Sequence, residues 1–200
     1  MNLIDQAVKH IRSLLYARVD NNYGQGAESI LNQVKTLESD NPEEVDQIIA
    51  YSKECLVRLE EMFLPHQLPS DYLYFLEHYG GLIIEKPGDD NSFNIYGIGP
   101  AVNIWYAHVE ESNILSENYL KKGFLSIGTL NLGNQYKKYH LSSNFYKHIH
   151  YYLSSSGNVY EEGVFLSGNK FERDELRMIA SSFTEWLNAI PSLYSTIWQV

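Results

Sequence analysis

The residues Leu68-Pro69-Ser70-Asp71-Tyr72-Leu73-Tyr74-Phe75-Leu76-Glu77-His78-Tyr79-Gly80-Gly81 spell out a complete short helix. Pro69 suits a first turn, where its missing N–H is no loss. Asp71 places a negative charge near the positive end of the helix dipole. Tyr72, Phe75, Leu76 and Tyr79 follow the i, i+3, i+4, i+7 rule and form one apolar stripe. Gly80 supplies the left-handed residue that stops a helix, and Gly81 extends the turn. Apolar Leu82-Ile83-Ile84 follows at once, so this helix hands over to the first strand of a sheet.

Upstream of this stretch the pattern is helical. Ile4, Val8, Ile11 and Leu15 share a stripe and predict a helix over residues 1–19. A polar, glycine-bearing loop follows at Asp20–Gly26. Ile30, Leu31, Val34 and Leu37 mark a second helix, Ala27–Leu37. Asn41-Pro42-Glu43-Glu44 opens a third with an N-cap, a first-turn proline and early acids, and its stripe reaches Phe63 before Pro65.

Downstream the texture becomes that of strands. Leu82–Glu85 and Phe93–Ile98 are separated by the turn cluster Pro87-Gly88-Asp89-Asp90-Asn91. Asn103–Ser112 reads as a helix carrying Trp105, His108 and Val109. Phe124–Gly128 is a short strand. Gln135–Leu141, Phe145–Leu153 and Asn158–Leu166 follow as three strands with serine- and glycine-rich links, too short for parallel crossovers, so the expectation is an antiparallel meander. Leu176–Ala180 finishes a strand or a turn. Ser182-Phe183-Thr184-Glu185 matches a capping box. The helix it opens, with Phe183, Trp186, Leu187 and Ile190 on one face, is expected to stop near Pro191. The apolar tail after it either folds back on the core or forms an exposed patch.

Two hundred residues with 44% hydrophobic and 20% charged side chains belong to the ordinary soluble globular class. A net charge of −10 argues against direct binding of nucleic acid or of anionic lipid, and suits a basic protein partner. No segment approaches a membrane span, and no secretory signal is visible. The single cysteine, Cys55, cannot form an internal disulfide and reads as a small hydrophobe. A reducing cytoplasm is the expected compartment.

Signals for chemistry are sparse. His148 and His150 share one face of a presumed strand, and His140 could lie beside them, which makes a conceivable divalent-metal site; alternating polar residues facing water explain the pattern equally well. There is no Gly-x-Ser-x-Gly elbow and no phosphate-binding glycine loop with Gly-Lys-Ser/Thr. Paired carboxylates stand at Glu60-Glu61, Asp89-Asp90, Glu110-Glu111 and Glu161-Glu162. Neighbours on a helix diverge and on a strand point oppositely, so most are expected on the solvated surface.

The punctuation as a whole resembles the SUKH superfamily, which includes a fungal cell-wall-synthesis regulator and many bacterial immunity proteins. The resemblance lies in Leu68-Pro69-x-Asp71-Tyr72-x-x-Phe75-Leu76 with Gly80-Gly81, in Phe124-Leu125-Ser126-Ile127-Gly128, in Gly133-Asn134-Gln135, in Gly157-Asn158-Val159-Tyr160, and in Ile179-Ala180-Ser181-Ser182-Phe183-x-Glu185-Trp186-Leu187, where Trp186 replaces the usual Phe. Order and spacing agree over roughly residues 45–190. Lys137, Lys138 and His140 depart from the pattern, as do Glu161 and Glu162.

The resemblance implies an α+β fold: a curved, mostly antiparallel sheet with helices on one side. Residues 1–40 are then a helical extension, and residues 41–200 the SUKH-like domain, in one compact unit. The resemblance also implies a non-enzymatic role with no cofactor, and no shared catalytic residues carry over. Tyr72, Phe75, Gly81, Gly128 and Trp186 match the family, each with an ordinary packing or turn explanation. Many bacterial members neutralise a cognate polymorphic toxin, often a basic nuclease, by direct binding. The expected mechanism is occlusion of the toxin's cationic cleft by Asp89, Asp90, Glu110, Glu111, Glu161 and Glu162, with Trp105 and Tyr151 as aromatic anchors. A regulatory scaffold and a metal-dependent hydrolase built on His140, His148 and His150 are the alternatives.

Overall fold

The computed structural model describes residues 2–14, 17–19, 54–85, 91–98, 119–132, 137–138, 145–167 and 170–198. Its first element is helix α1 (Leu3–Leu14). Asn2 caps it: the side-chain oxygen accepts from the Ile4 N–H at 3.0 Å, and the Asn2 N–H donates to Asp5 at 3.2 Å. Ile4, Ala7, Val8 and Ile11 bury their whole side chains. The helix is shorter than the 1–19 span expected of it. Residues Ala17–Val19 form strand β1, antiparallel to the first core strand, with Ala17 opposite Ile84. An edge left unpaired would strand its N–H and C=O groups, so tertiary pairing overrides the helical pattern here.

The expected helices Ala27–Leu37 and Asn103–Ser112 lie outside the described residues. The third predicted helix is seen over residues 54–63, burying Leu59 and Phe63. Helix α2 (Ser70–Tyr79) then forms as the stripe demands, with Tyr72, Phe75, Leu76 and Tyr79 buried. Gly80 adopts the left-handed conformation (φ 64°) and donates its N–H to the Leu76 carbonyl, closing the last turn. Gly97 lies against this turn so closely that a Cβ there would meet the Gly80 carbonyl oxygen at 2.1 Å. Only a hydrogen side chain lets the two backbones meet.

The sheet contains β2 (Leu82–Glu85), β3 (Ser92–Ile95), β4 (Phe124–Asn131), β5 (Lys137–Lys138), β6 (Phe145–Ser154), β7 (Val159–Ser167), β8 (Lys170–Arg173) and β9 (Arg177–Ala180). All its pairings are antiparallel. Its order is β1-β2-β3-β4-β6-β7-β8, with β5 beside β6 and β9 beside β7. The sheet curls into a half-barrel, and the fold is α+β. The expected β6–β7 meander is present. Leu176–Ala180 resolves as a strand rather than a turn, and β8 is an addition that the strongly charged Lys170–Arg173 did not announce.

Helix α3 (Phe183–Trp198) opens on the predicted cap. Ser182 Oγ accepts from the Glu185 N–H at 3.0 Å, and Glu185 reaches back to the backbone N–H and hydroxyl of Ser181, one residue earlier than the standard box. The helix does not stop at Pro191 but runs through it. Proline removes one ladder bond, a cost of about 3 kcal/mol. Burial of Leu187, Ile190 and Pro191, together with the packing of α3 along α1, offsets it. Trp186, Phe93 and Tyr151 form an aromatic cluster, with ring centroids 5.1–5.9 Å apart, that glues α3 to the inner face of the sheet. No helix among the described residues is long and apolar enough to cross a membrane.

Candidate functional site

Strand β7 carries Glu161 and Glu162 side by side, and alternation sends them to opposite faces. Cross-strand partners share a face, so the register fixes which is which. Glu161 stands opposite Tyr151, on the inner face with the helices. Glu162 stands opposite His150, which faces Thr129, which faces Asn94, on the outer face. The opposed directions agree with the expectation. The expected exposure does not, for each glutamate is only 3% exposed.

A buried carboxylate needs a partner, since an unpaired one costs several kcal/mol. Here the partners come from the chain beyond the β7 hairpin. Arg177 on β9 lies opposite Glu161 and donates to Oε1 through Nε, at 3.2 Å, and through Nη2. Arg173 on β8 donates from Nη1 to Glu162 Oε2 at 2.8 Å. The hydroxyls of Tyr119 and Tyr152 complete the Glu162 shell at 2.8 and 3.2 Å. Burial raises the Glu161 carboxyl above the usual glutamate range, against the pull of Arg177. Burial, with Glu162 second, pushes the Tyr119 hydroxyl up to about 12. Burial opposes the charge of Arg173, but Glu162 more than offsets it and holds the guanidinium above its ordinary value.

The arrangement inverts the expected surface. The acids lie beneath, and the arginine side chains, 33% exposed for Arg173 and 53% for Arg177, lie above. Glu161 and Glu162 therefore present no acidic face to a partner in this conformation. Tyr151, expected as an aromatic anchor, is fully buried between Phe93 and Trp186 and is a core residue. Asp89, Asp90, Trp105, Glu110 and Glu111 lie outside the described residues. Lys170–Arg177 shows no apolar alternation, so the sequence pattern does not single out these arginines. Opposite charges facing each other across a hairpin were the available signal.

The outer face carries a second polar chain. The Tyr96 and Thr129 hydroxyls are 2.6 Å apart, and Thr129 Oγ1 is 3.4 Å from His150 Nδ1. Tyr119 stacks edge-on against Tyr152, and Phe124 against Tyr160. His148 and His150 do share a face, with ring centroids 6.3 Å apart. Among the described residues no third His, Cys, Asp or Glu gathers with them to hold a metal, and His140 lies outside those residues. In the described part of this face the hydroxyls and rings are largely engaged with one another and with Glu162.

Comparison with known families meets this geometry. The model of the SMI1/KNR4 family (SUKH-1) matches residues 51–189, well over half of the chain. The chain belongs to that family. No curated protein and no solved structure matches it. SUKH-1 proteins are generally non-catalytic immunity or regulatory proteins, and membership fits such a role. The matched span begins after α1 and β1, yet Ile4, Ala7, Val8 and Ile11 lie in the same apolar core as Trp186 and Tyr151.

Proposed function

We propose that this SUKH-1 chain is a cytoplasmic immunity protein that binds a cognate polymorphic toxin, a basic nuclease, and occludes its active cleft without performing a reaction. Family membership is the observation that carries the reading. The net charge of −10 supports it, because opposite fields speed encounter with a cationic partner. The proposed contacts are Asp89, Asp90, Glu110, Glu111 and Trp105. Glu161, Glu162 and Tyr151 leave that set because they are buried.

The test is affinity capture with the product of the gene adjacent to this one, followed by co-expression of the two. The reading expects a stoichiometric complex and rescue of growth. Capture without rescue from any toxin, and of several unrelated proteins, would favour a regulatory scaffold instead.

A further inference from the structure

Strands β8 and β9 are two parts of one segment that covers the same edge of β7. Between them the Asp174 N–H donates to the Gly163 carbonyl at 2.9 Å. The segment grips β7 from both sides. Arg173 lies opposite Val164 and reaches Glu162 on the outer face; Arg177 lies opposite Glu161 and reaches it on the inner face. Both buried carboxylates thus take their cations from a single short strap.

The strap itself is thinly anchored. From Glu172 to Ala180 only Ala180 is buried, and Met178 is 54% exposed. Beneath it, Ile149, Tyr151 and Leu153 of β6 are fully buried. A segment with few buried apolar contacts and solvent-facing backbone bonds opens at a lower free energy than the core it covers. Opening would hydrate two glutamates that are 3% exposed when it is closed. Burial already raises the Glu161 carboxyl despite Arg177, so the charged form is held at a cost that hydration relieves. What remains is an unpaired strand edge with a carboxylate on each face. The strap shows what that edge accepts: an extended chain carrying guanidinium groups.

We infer that Lys170–Arg177 is a displaceable strap, keeping the β7 edge for an extended cationic segment of a protein partner that pairs with Glu161 and Glu162 in its place. The inference rests on the basic partner proposed above and adds where that partner docks.

The test is hydrogen exchange of the intact protein, read by mass spectrometry on peptides covering β6, β7, β8 and β9. A strap that opens as a unit couples its two ends. Arg173→Gln should speed exchange in β9, and Arg177→Gln in β8, each at least tenfold, with β6 unchanged. Acceleration confined to the strand that carries the substitution would overturn the inference. The second arm adds the purified product of the adjacent gene, silenced by substitution. Displacement predicts faster exchange in β8 and slower exchange in β7, and at least tenfold tighter binding by the Arg173→Gln, Arg177→Gln double variant. A complex that leaves β7 and β8 exchange unchanged overturns the strap and keeps the proposed function. Absence of any complex overturns both.

Discussion

The carboxylate of Asp71, on α2, accepts hydrogen bonds from both the backbone N–H and the hydroxyl of Thr184, on α3, at 2.9 and 3.0 Å. One acid thus serves the start of two helices that lie more than a hundred residues apart in sequence. Its position by the α3 N-terminus also suits the helix dipole. Asp71→Ala is expected to cost about 1–2 kcal/mol, the range for a lost cap. Asp71→Asn keeps an acceptor and should cost less. Urea unfolding monitored by tryptophan fluorescence measures both.

The Glu162 network offers a larger effect. Glu162→Ala removes the acceptor of Arg173, Tyr119 and Tyr152 together. The half-exposed arginine regains water, but the tyrosine hydroxyls do so less readily. The expected loss is about 2–3 kcal/mol, with Glu162→Gln clearly milder. The same unfolding experiment applies. A Glu162→Ala variant as stable as the parent would show that these bonds do not hold the β8 edge in place.

Two carboxylates give opposite pH signatures. In the folded chain the Glu161 carboxyl is raised by burial, so the native state holds that proton more tightly than the unfolded one. Stability from this site is therefore greatest at low pH and declines as pH rises from the ordinary glutamate range through the raised folded value. Asp5 behaves the other way. Burial works against it, but the hydroxyls of Tyr79, at 2.7 Å, and of Tyr74, at 3.1 Å, hold its carboxyl below the usual range. Its contribution is present above the ordinary aspartate range and is lost as pH falls through the lowered value. Relative to the parent, Glu161→Gln should gain stability as pH rises, and Asp5→Asn should lose it. Thermal unfolding across a pH series checks both signs.

Trp186 stands where the resembled motif carries Phe, and its buried indole N–H has no hydrogen-bond partner among the described residues. Trp186→Phe removes that unmet donor, worth about 1–3 kcal/mol, while giving up ring volume. The two effects nearly cancel, so a change under about 1 kcal/mol is expected. Trp186→Ala should cost about 3–5 kcal/mol. Differential scanning calorimetry separates the two outcomes.

Helix α1 lies outside the matched family span but belongs to the same core. Ile11 is fully buried, and Ile11→Ala is expected to cost about 2–5 kcal/mol. Removal of residues 1–19 would also expose the β2 edge, and such a chain should aggregate or unfold at ordinary temperature. A truncated chain that keeps the parent's melting temperature would make the segment a mere appendage.

The elements that were legible in the sequence are those written in local chemistry. The Pro69-to-Gly80 helix, the Ser182 cap and the serine-marked β6–β7 turn each carry their instruction within a few residues. The elements that departed from expectation depend on distant neighbours. Ala17–Val19 is a strand because β2 needs a partner, and α3 passes Pro191 because α1 packs along it. Alternation placed Glu161 and Glu162 on opposite faces, but their burial depends on Arg177 and Arg173, which approach only once the hairpin closes. Tyr151 lies in the core and not at the surface expected of it, because a tyrosine on a strand looks the same in sequence whether its face meets solvent or Trp186.

The most direct measurement of the proposed function is a calorimetric titration of this protein with the purified product of the adjacent gene, carrying a substitution that silences any toxic activity. The account predicts one-to-one binding with nanomolar affinity that weakens as salt rises, as attraction to a cationic cleft requires. Absence of any binding heat at micromolar concentrations, with both proteins folded, would contradict it.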